Sequence, residues 1–328
     1  MEHYISSPMP KKILLLINPK ARSGSGRSEE VILSLHEAGH EVIQPPPQED
    51  VRKFILEHKD DADLVVVGGG DGTINYVLSA LVESQLPLII FPMGTANLFA
   101  RSFNIKADIE QLIDVTRTGI SVPIDLGMVN GIYFINVCGL GISTEVNKSV
   151  PAELKKITGP FSFWIQGLRL IRHLNPFKII LTIDDKNPLT VRTWQITICN
   201  GKKYAAWMTI QPDASYDDDK LRCLSTEITN WWQVFSLLPA YIKGTYRESL
   251  DVSFKTGKKI KLESKRPLAI DVDGDVQTTT PAVFEVKSKV LNIILPAQVF
   301  TTEETPISDN SLRFTRHESF PLGPEFNS

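Results

Sequence analysis

Residues 64–75 read LVVVGGGDGTIN. The apolar, β-branched run Leu64–Val67 is strand-sized and suits a strand buried on both faces. The glycines at its end permit positive φ and close approach of a phosphate chain, and the helix expected over Thr73–Glu83 offers unpaired amides at its start. Thr73 can cap that helix or donate a hydroxyl to phosphate, while a tight turn holding no ligand satisfies the same residues. The segment matches neither GxGxxG nor GxxxxGK[ST], so neither a dinucleotide fingerprint nor a P-loop is assigned. Asp71 stands out. A carboxylate beside polyphosphate is repelled unless Mg²⁺ or a proton-transfer role compensates, and stabilising the turn is the structural alternative.

Outward from this stretch, the same rhythm repeats. Strands are expected over Ile13–Ile17, Val42–Ile43, Leu64–Val67 and Leu88–Phe91, and helices over Ser28–Ala38, stopped by Gly39, and over Val51–Glu57. Short apolar strands alternating with helices imply a parallel sheet covered on both faces. Beyond about residue 120 the pattern becomes strand-rich and favours antiparallel pairing. The strand-sized segments are Ile132–Val137, Ile179–Ile183, Val191–Cys199, Val252–Phe254, Leu268–Val272 and Val283–Val286. Two helices, Phe161–Leu174 and Trp231–Ile242, interrupt it; their apolar stripes suit a core, and the first also suits a lipid interface. The division is a nucleotide-binding domain over 11–125, a β-rich acceptor domain over 126–296, and a return segment with a loose tail over 297–328.

In a parallel sheet, the turn in PMGTANLFAR (92–101) falls at the same strand-end crevice as Gly68–Thr73. Gly94, Thr95 and Asn97 then join Gly69, Gly70, Asp71, Gly72 and Thr73 there, with an ordinary helix cap as the alternative for Thr95 and Asn97. Topology brings INPKARSGSGR (17–27) to that edge too. Asn18 can fix this loop, and Arg22 or Arg27 can reach phosphate or stay solvated. Further along, Asp217, Asp218 and Asp219 crowd carboxylates into one turn, a repulsion that a hard cation relieves and that solvent also relieves.

Composition bounds the partners. The chain has 328 residues, 42% hydrophobic and 22% charged, with a formal charge of -3, which gives no reason to expect general attraction to nucleic acid and leaves local basic patches open. Cys138, Cys199 and Cys223 are widely spaced and odd in number, so neither a disulfide framework nor a zinc knuckle is expected. MEHYISSPMPKK has no apolar leader run, and no stretch approaches the roughly 18 apolar residues of a membrane span. A cytoplasmic protein with at most transient, peripheral membrane association is expected.

Together NPKARSG, GGGDGTIN, PMGTAN, IDLG, YFINVCGLG, KKITGPFSFWIQGL, PDASYDDDKL and VDGD resemble the diacylglycerol kinase catalytic family, in its bacterial soluble form related to sphingosine kinases. The resemblance implies an α/β fold whose N-terminal parallel-sheet domain is similar to NAD kinases and phosphofructokinases, with a β-rich C-terminal domain. It implies ATP and Mg²⁺ as cofactors and a lipid or other hydrophobic alcohol as acceptor, diacylglycerol by default. Sphingoid, isoprenoid and polyol alcohols, a nucleotide-responsive protein without turnover, and a homodimer stay open.

By the same resemblance, Asn18, Gly69–Thr73 and Thr95 line the nucleotide crevice. The Asp218 carboxylate and the carbonyls of Ser215 and Lys220 ligate a structural Mg²⁺. Asp275 inherits the general-base role of the family's glutamate, with Asp71 as the other catalytic candidate, and the same residues also suit a hairpin turn. This chain departs from the family at Tyr76, where a glutamate is usual, at Asp275, one methylene shorter, in IQPPPQED (43–50), which lacks a threonine, and in YAAWMTI (204–210), where Trp207 and Met208 replace small residues.

Overall fold

The computed structural model describes residues 10–19, 24–142, 144, 176–201, 203–205, 208–209, 214–227 and 252–297. Arg22, Trp207 and the segments expected as helices over Phe161–Leu174 and Trp231–Ile242 lie outside them.

The first half alternates as its sequence suggests. In order come β1 (Lys12–Ile17), α1 (Gly24–Glu37), β2 (Glu41–Ile43), α2 (Val51–Glu57), β3 (Leu64–Gly69), α3 (Asp71–Ser84), β4 (Leu88–Pro92), α4 (Leu98–Ser102) and α5 (Ile109–Thr118). β2, β1, β3 and β4 pair in parallel. Because side chains alternate across a strand, each strand feeds two cores. Leu14, Leu16, Val65 and Val67 pack with Ile74, Val77 and Leu81 of α3. Ile13, Leu15, Leu64 and Val66 pack with Val31 and Leu35 of α1 and with Leu112 and Val115 of α5. Gly39 ends α1 with φ 89°, a conformation that favours glycine.

The second half is β-rich: β5 (Ile120–Val129), β6 (Ile132–Phe134), β7 (Val137–Gly141), β8 (Phe177–Ile183), β9 (Leu189–Thr193), β10 (Gln195–Cys199), β11 (Lys203–Ala205), β12 (Met208–Thr209), β13 (Leu221–Thr226), β14 (Val252–Gly257), β15 (Lys259–Glu263), β16 (Ala269–Val272), β17 (Asp275–Thr279) and β18 (Ala282–Leu295). Among the described residues, one mixed sheet runs β2-β1-β3-β4-β18-β15-β8-β9, with β5 on β18 and β6 on β5, and a second runs β14-β13-β10-β7-β16-β17. The two sheets close on a shared core that includes Phe134, Ile179, Ile260 and Phe284 from the first and Leu140, Ile198, Leu221 and Ile270 from the second.

β18 is the seam. It pairs antiparallel with β15 and β5, then meets β4 in parallel at Ile293 and Leu88, so the chain's return strand belongs to both halves. Two expected strands are each divided. Ile132–Val137 breaks at Ile135-Asn136 into β6 and β7, and Val191–Cys199 breaks at Trp194 into β9 and β10, because in both places the chain crosses from one sheet to the other. Apolar content runs unbroken through such a corner and does not mark it. β5 lies hidden behind Pro123 and Gly127.

Gly127, the glycine of IDLG, faces Phe134 across the β5–β6 pair, and a Cβ there would lie 2.1 Å from the ring's Cζ. Phe134 is fully buried and cannot yield. Gly127→Ala therefore destabilises the fold by about 1–3 kcal/mol through overpacking, measured by denaturant unfolding. A variant as stable as the parent contradicts this packing.

Candidate active site

Three loops meet at the C-terminal ends of β1, β3 and β4. Asn18 donates its backbone N–H to the Gly68 carbonyl at 2.9 Å and its side-chain N–H to Thr73 Oγ1 at 3.0 Å. Met93 N–H donates to the Gly69 carbonyl at 2.9 Å. Gly70 and Gly94 then touch backbone to backbone. A Cβ on Gly94 would lie 2.6 Å from Gly70 Cα, and one on Gly70 would lie 3.1 Å from Gly94 Cα. Asn97 locks the second loop, accepting from Gly94 N–H at 3.0 Å and donating to the Gly94 carbonyl at 2.9 Å.

Asp71 ties the two loops together. Its Oδ2 accepts from Leu98 N–H at 2.9 Å and its Oδ1 from Phe99 N–H at 3.0 Å, so a residue of the first loop caps the helix that follows the second. The helix expected from Thr73 in fact starts at Asp71, so Asp71 and Gly72 belong to its first turn. Its N-cap, Gly70, makes no side-chain cap hydrogen bond, leaving a helix N-terminus suited to an anion. Gly72 is exposed, with nothing within 4 Å of a Cβ built on it, and Thr95 is exposed on the opposite loop. The crevice thus brings Asn18, Gly69, Gly70, Asp71, Gly72, Thr73, Gly94, Thr95 and Asn97 together.

Arg27 does not join them. Its guanidinium donates to the Ala107 carbonyl at 3.1 Å and lies 5.8 Å from the Phe91 ring centroid, on the α1 and α5 side of the sheet. At the edge of α3, Tyr76 is exposed, with Arg52 stacked 4.7 Å from its ring centroid and Asp50 paired to Arg52 at 2.8 Å. The guanidinium holds the Asp50 carboxyl down to about 2.

From the loops, contacts pass into the β-rich half. Phe99 of α4 and Phe103, the residue that ends it, pack on Tyr216, with ring centroids 5.5 and 5.2 Å away. The buried Tyr216 hydroxyl donates to Asn136 Oδ1 at 2.9 Å, and Asn136 sits in the corner between β6 and β7. Asp273 holds that corner by accepting from the amides of Ile135, Asn136 and Val137 at 2.7, 3.0 and 2.8 Å. Burial pushes the Asp273 carboxyl up to about 6, the three amides oppose that rise, and the negative charge of Asp71 adds to it. Asp273 and Gly274, with φ 49° and 104°, make a two-residue hairpin turn that places Asp275 opposite Val272 at the exposed start of β17.

Three residues that the sequence reading passed over complete this region. Asp125, the acid of IDLG, is 2% exposed and accepts from Asp219 N–H at 2.7 Å and Lys289 N–H at 2.9 Å. Burial raises its pKa against the pull of those amides. Asn200 donates to the carbonyls of Asp125 and Ile135 at 2.8 and 3.1 Å. Arg222, also 2% exposed, pairs with Asp218 and donates to the Lys220 carbonyl at 3.1 Å and the Asn200 carbonyl at 3.3 Å. A lone charged residue inside an apolar strand, as in IDLG and LRCLST, was the available signal, because a buried charge demands a partner.

Arg222 bears on the structural metal expected at Ser215, Asp218 and Lys220. It takes one Asp218 oxygen and the Lys220 carbonyl, leaving Asp218 Oδ1 buried and, among the described residues, without a hydrogen-bond partner. As they stand, Asp218 and the Lys220 carbonyl both accept from a guanidinium, an arrangement that does not fit a Mg²⁺ sharing the same oxygens. Among the described residues, no group of three or more His, Cys, Asp or Glu is placed to hold a metal ion, and no helix is long and apolar enough to cross a membrane. Cys138, Cys199 and Cys223 are free and buried.

A glycine-rich crevice on a parallel α/β sheet, joined through one return strand to a β sandwich, defines the class of fold. Residues 12–129 match the diacylglycerol kinase catalytic domain, and residues 136–295 match the YegS C-terminal NAD kinase beta sandwich-like domain. The chain belongs to the family built from these two domains. A diacylglycerol kinase of Staphylococcus epidermidis is 27% identical over 304 residues, 90% of this chain and 95% of the relative, and one of Staphylococcus aureus is 26% identical over 303 residues, 90% and 96%. The crystal structure of a diacylglycerol kinase from Bacillus anthracis superposes with a TM-score of 0.69 at 21% identity, covering 88% of this chain and 98% of that one. A second solved structure from that organism gives 0.75 at 23% identity, covering 91% and 99%; both bear on the fold.

The raised Asp273 pKa has a thermodynamic consequence. A carboxyl that keeps its proton to about 6 when folded and to 3.8 otherwise favours the fold fully below the lower value. That share is lost as pH rises toward the upper one. Asp273→Asn removes the titration, so the melting temperature of parent minus variant falls between roughly pH 4 and 6.5 and is level above that. Thermal unfolding of both proteins across the range checks this, and a difference that grows with pH contradicts it.

Proposed function

We propose that the chain transfers the γ-phosphoryl group of ATP to a lipid hydroxyl, with diacylglycerol as the default acceptor. The observation that carries this reading is the joined pair of loops, Gly68–Thr73 and Gly94–Asn97, beside the uncapped start of α3. First-turn amides and the Thr73 and Thr95 hydroxyls would receive the phosphates, while Asn18 and Asn97 hold the loops to shape. Mg²⁺ bound with ATP would offset the charge of the β- and γ-phosphates. Asp71 already accepts one amide on each oxygen, and its remaining lone pairs suit a water of the hydrated ion.

Asp275 would take the proton from the acceptor hydroxyl as that oxygen bonds to the γ-phosphorus and the bond to the departing ADP breaks. Its position at the open start of β17 supports access to an acceptor arriving from outside. The side chain, one methylene shorter than the family's glutamate, also favours a second reading in which nucleotide binds without turnover. Labelled ATP with diacylglycerol, sphingoid and isoprenoid alcohols separates the two readings. Acceptor-dependent product supports the kinase, and tight ATP binding without product across the panel supports the other.

Substitutions at two positions test the site. Gly72→Glu adds an acid to an exposed first helical turn, so it keeps thermal stability while lowering ATP affinity about tenfold or more through repulsion. Unchanged affinity, by calorimetry on the folded variant, rejects the crevice. Asp275→Asn lowers single-turnover phosphoryl transfer by about 10²–10⁴-fold at saturating ATP and acceptor, and Asp275→Glu retains it. Near-parental transfer by Asp275→Asn moves the base elsewhere.

A further inference from the structure

We propose that Arg222 stands where the family places a structural divalent cation, so that the turn at 215–220 is organised by a charge built into the chain and folds without a metal. The proposal rests on the family's cation position, not on kinase activity. Arg222 is the second residue of β13, 2% exposed, and the largest fully buried side chain among the described residues. A guanidinium so removed from water requires a carboxylate and further acceptors around it. It has them in Asp218 and the carbonyls of Lys220 and Asn200, the first two being donors that the family resemblance assigns to the ion. A divalent cation on those atoms would lie in contact with the guanidinium, at a repulsion no shared oxygen offsets.

The rest of the turn is also balanced from within. Asp219 pairs with Lys258 and accepts from Ser288, Asp217 accepts from the Ser215 hydroxyl, and Asp125 is held by two backbone amides. The carboxylate crowding that calls for a hard cation is therefore already relieved. Asp218 Oδ1 is the carboxylate oxygen of the turn with no hydrogen-bond partner among the described residues, and a Mg²⁺ held there would draw most of its six ligands from water. The site sits beneath the candidate crevice, since Tyr216 of the same turn packs on α4. Arg222 thus fixes the platform on which the second loop rests.

The test is thermal unfolding of the full-length chain without nucleotide, after chelation with EDTA and again in millimolar Mg²⁺. The two melting temperatures should agree within about 1 °C, because nothing that binds only the folded state has been removed. Arg222→Thr should melt lower by on the order of 5 °C in EDTA, having left Asp218 uncompensated, and recover with Mg²⁺ as the vacated donors accept the ion. A parent that loses stability on chelation and regains it with Mg²⁺ overturns the proposal. So does elemental analysis finding one tightly held divalent ion per chain that Asp218→Asn removes. Both measurements on the parent decide the matter even if Arg222→Thr does not fold.

Discussion

Gly70 and Gly94 lie backbone against backbone, with no room for a Cβ on Gly94 and a tight 3.1 Å for one on Gly70. This contact brings two adjacent parallel strands to a common end, and Asp71 reaches across it to cap α4 through two amides. A five-residue helix has little stability of its own, so its position depends on that cap and on its packing. α4 and the residue that ends it in turn present Phe99 and Phe103 to Tyr216, and Tyr216 hydrogen-bonds to Asn136, whose corner Asp273 holds. A chain of direct contacts therefore runs from the glycine crevice to the hairpin carrying Asp275. The crevice and the candidate base are set relative to each other by packed aromatics and buried hydrogen bonds.

That seam is unusually rich in acids for an interior, and each is accommodated differently. Asp273 has three amides yet keeps a raised pKa, because burial and Asp71 outweigh them. Asp125 is raised as well, while Asp218 has the buried guanidinium of Arg222. Removing one partner from a buried charge pair costs about 3–5 kcal/mol, far more than losing a surface ion pair. The interface between the halves is consequently fixed in geometry more than it is strengthened. Sites that require reacting groups to be held within a fraction of an ångström benefit from such rigidity.

The parallel half was legible because each signal there is local. Valine runs, glycine turns and helix periodicity mark β1 to β4 and α1 to α3 with boundary shifts of a few residues, and the convergence of 68–73 with 94–97 follows from strand order alone. The sandwich was legible only as strand-rich. Its corners at Ile135-Asn136 and Trp194 interrupt no apolar pattern, and β5 is masked by Pro123 and Gly127 although it is the strand that β18 follows across the seam. Polar partners distant in sequence were the least visible, since Asp71 with Leu98, Asp273 with Ile135 and Arg222 with Asn200 join residues that no spacing rule connects. The acidic turn illustrates the point: its carboxylates suggested a hard cation, while the arginine that pairs with Asp218 lies hidden in the following strand.

The central claim is that a nucleotide's phosphates bind where the two glycine loops are joined. A structure of the chain with a non-hydrolysable ATP analogue and Mg²⁺ tests it directly. The β- and γ-phosphates should lie on the amides at the start of α3, within reach of Thr73 and Thr95, with the Gly70–Gly94 contact and the Asp71 cap unchanged. Phosphates bound elsewhere, or a crevice that must part those two glycines to admit them, would contradict it.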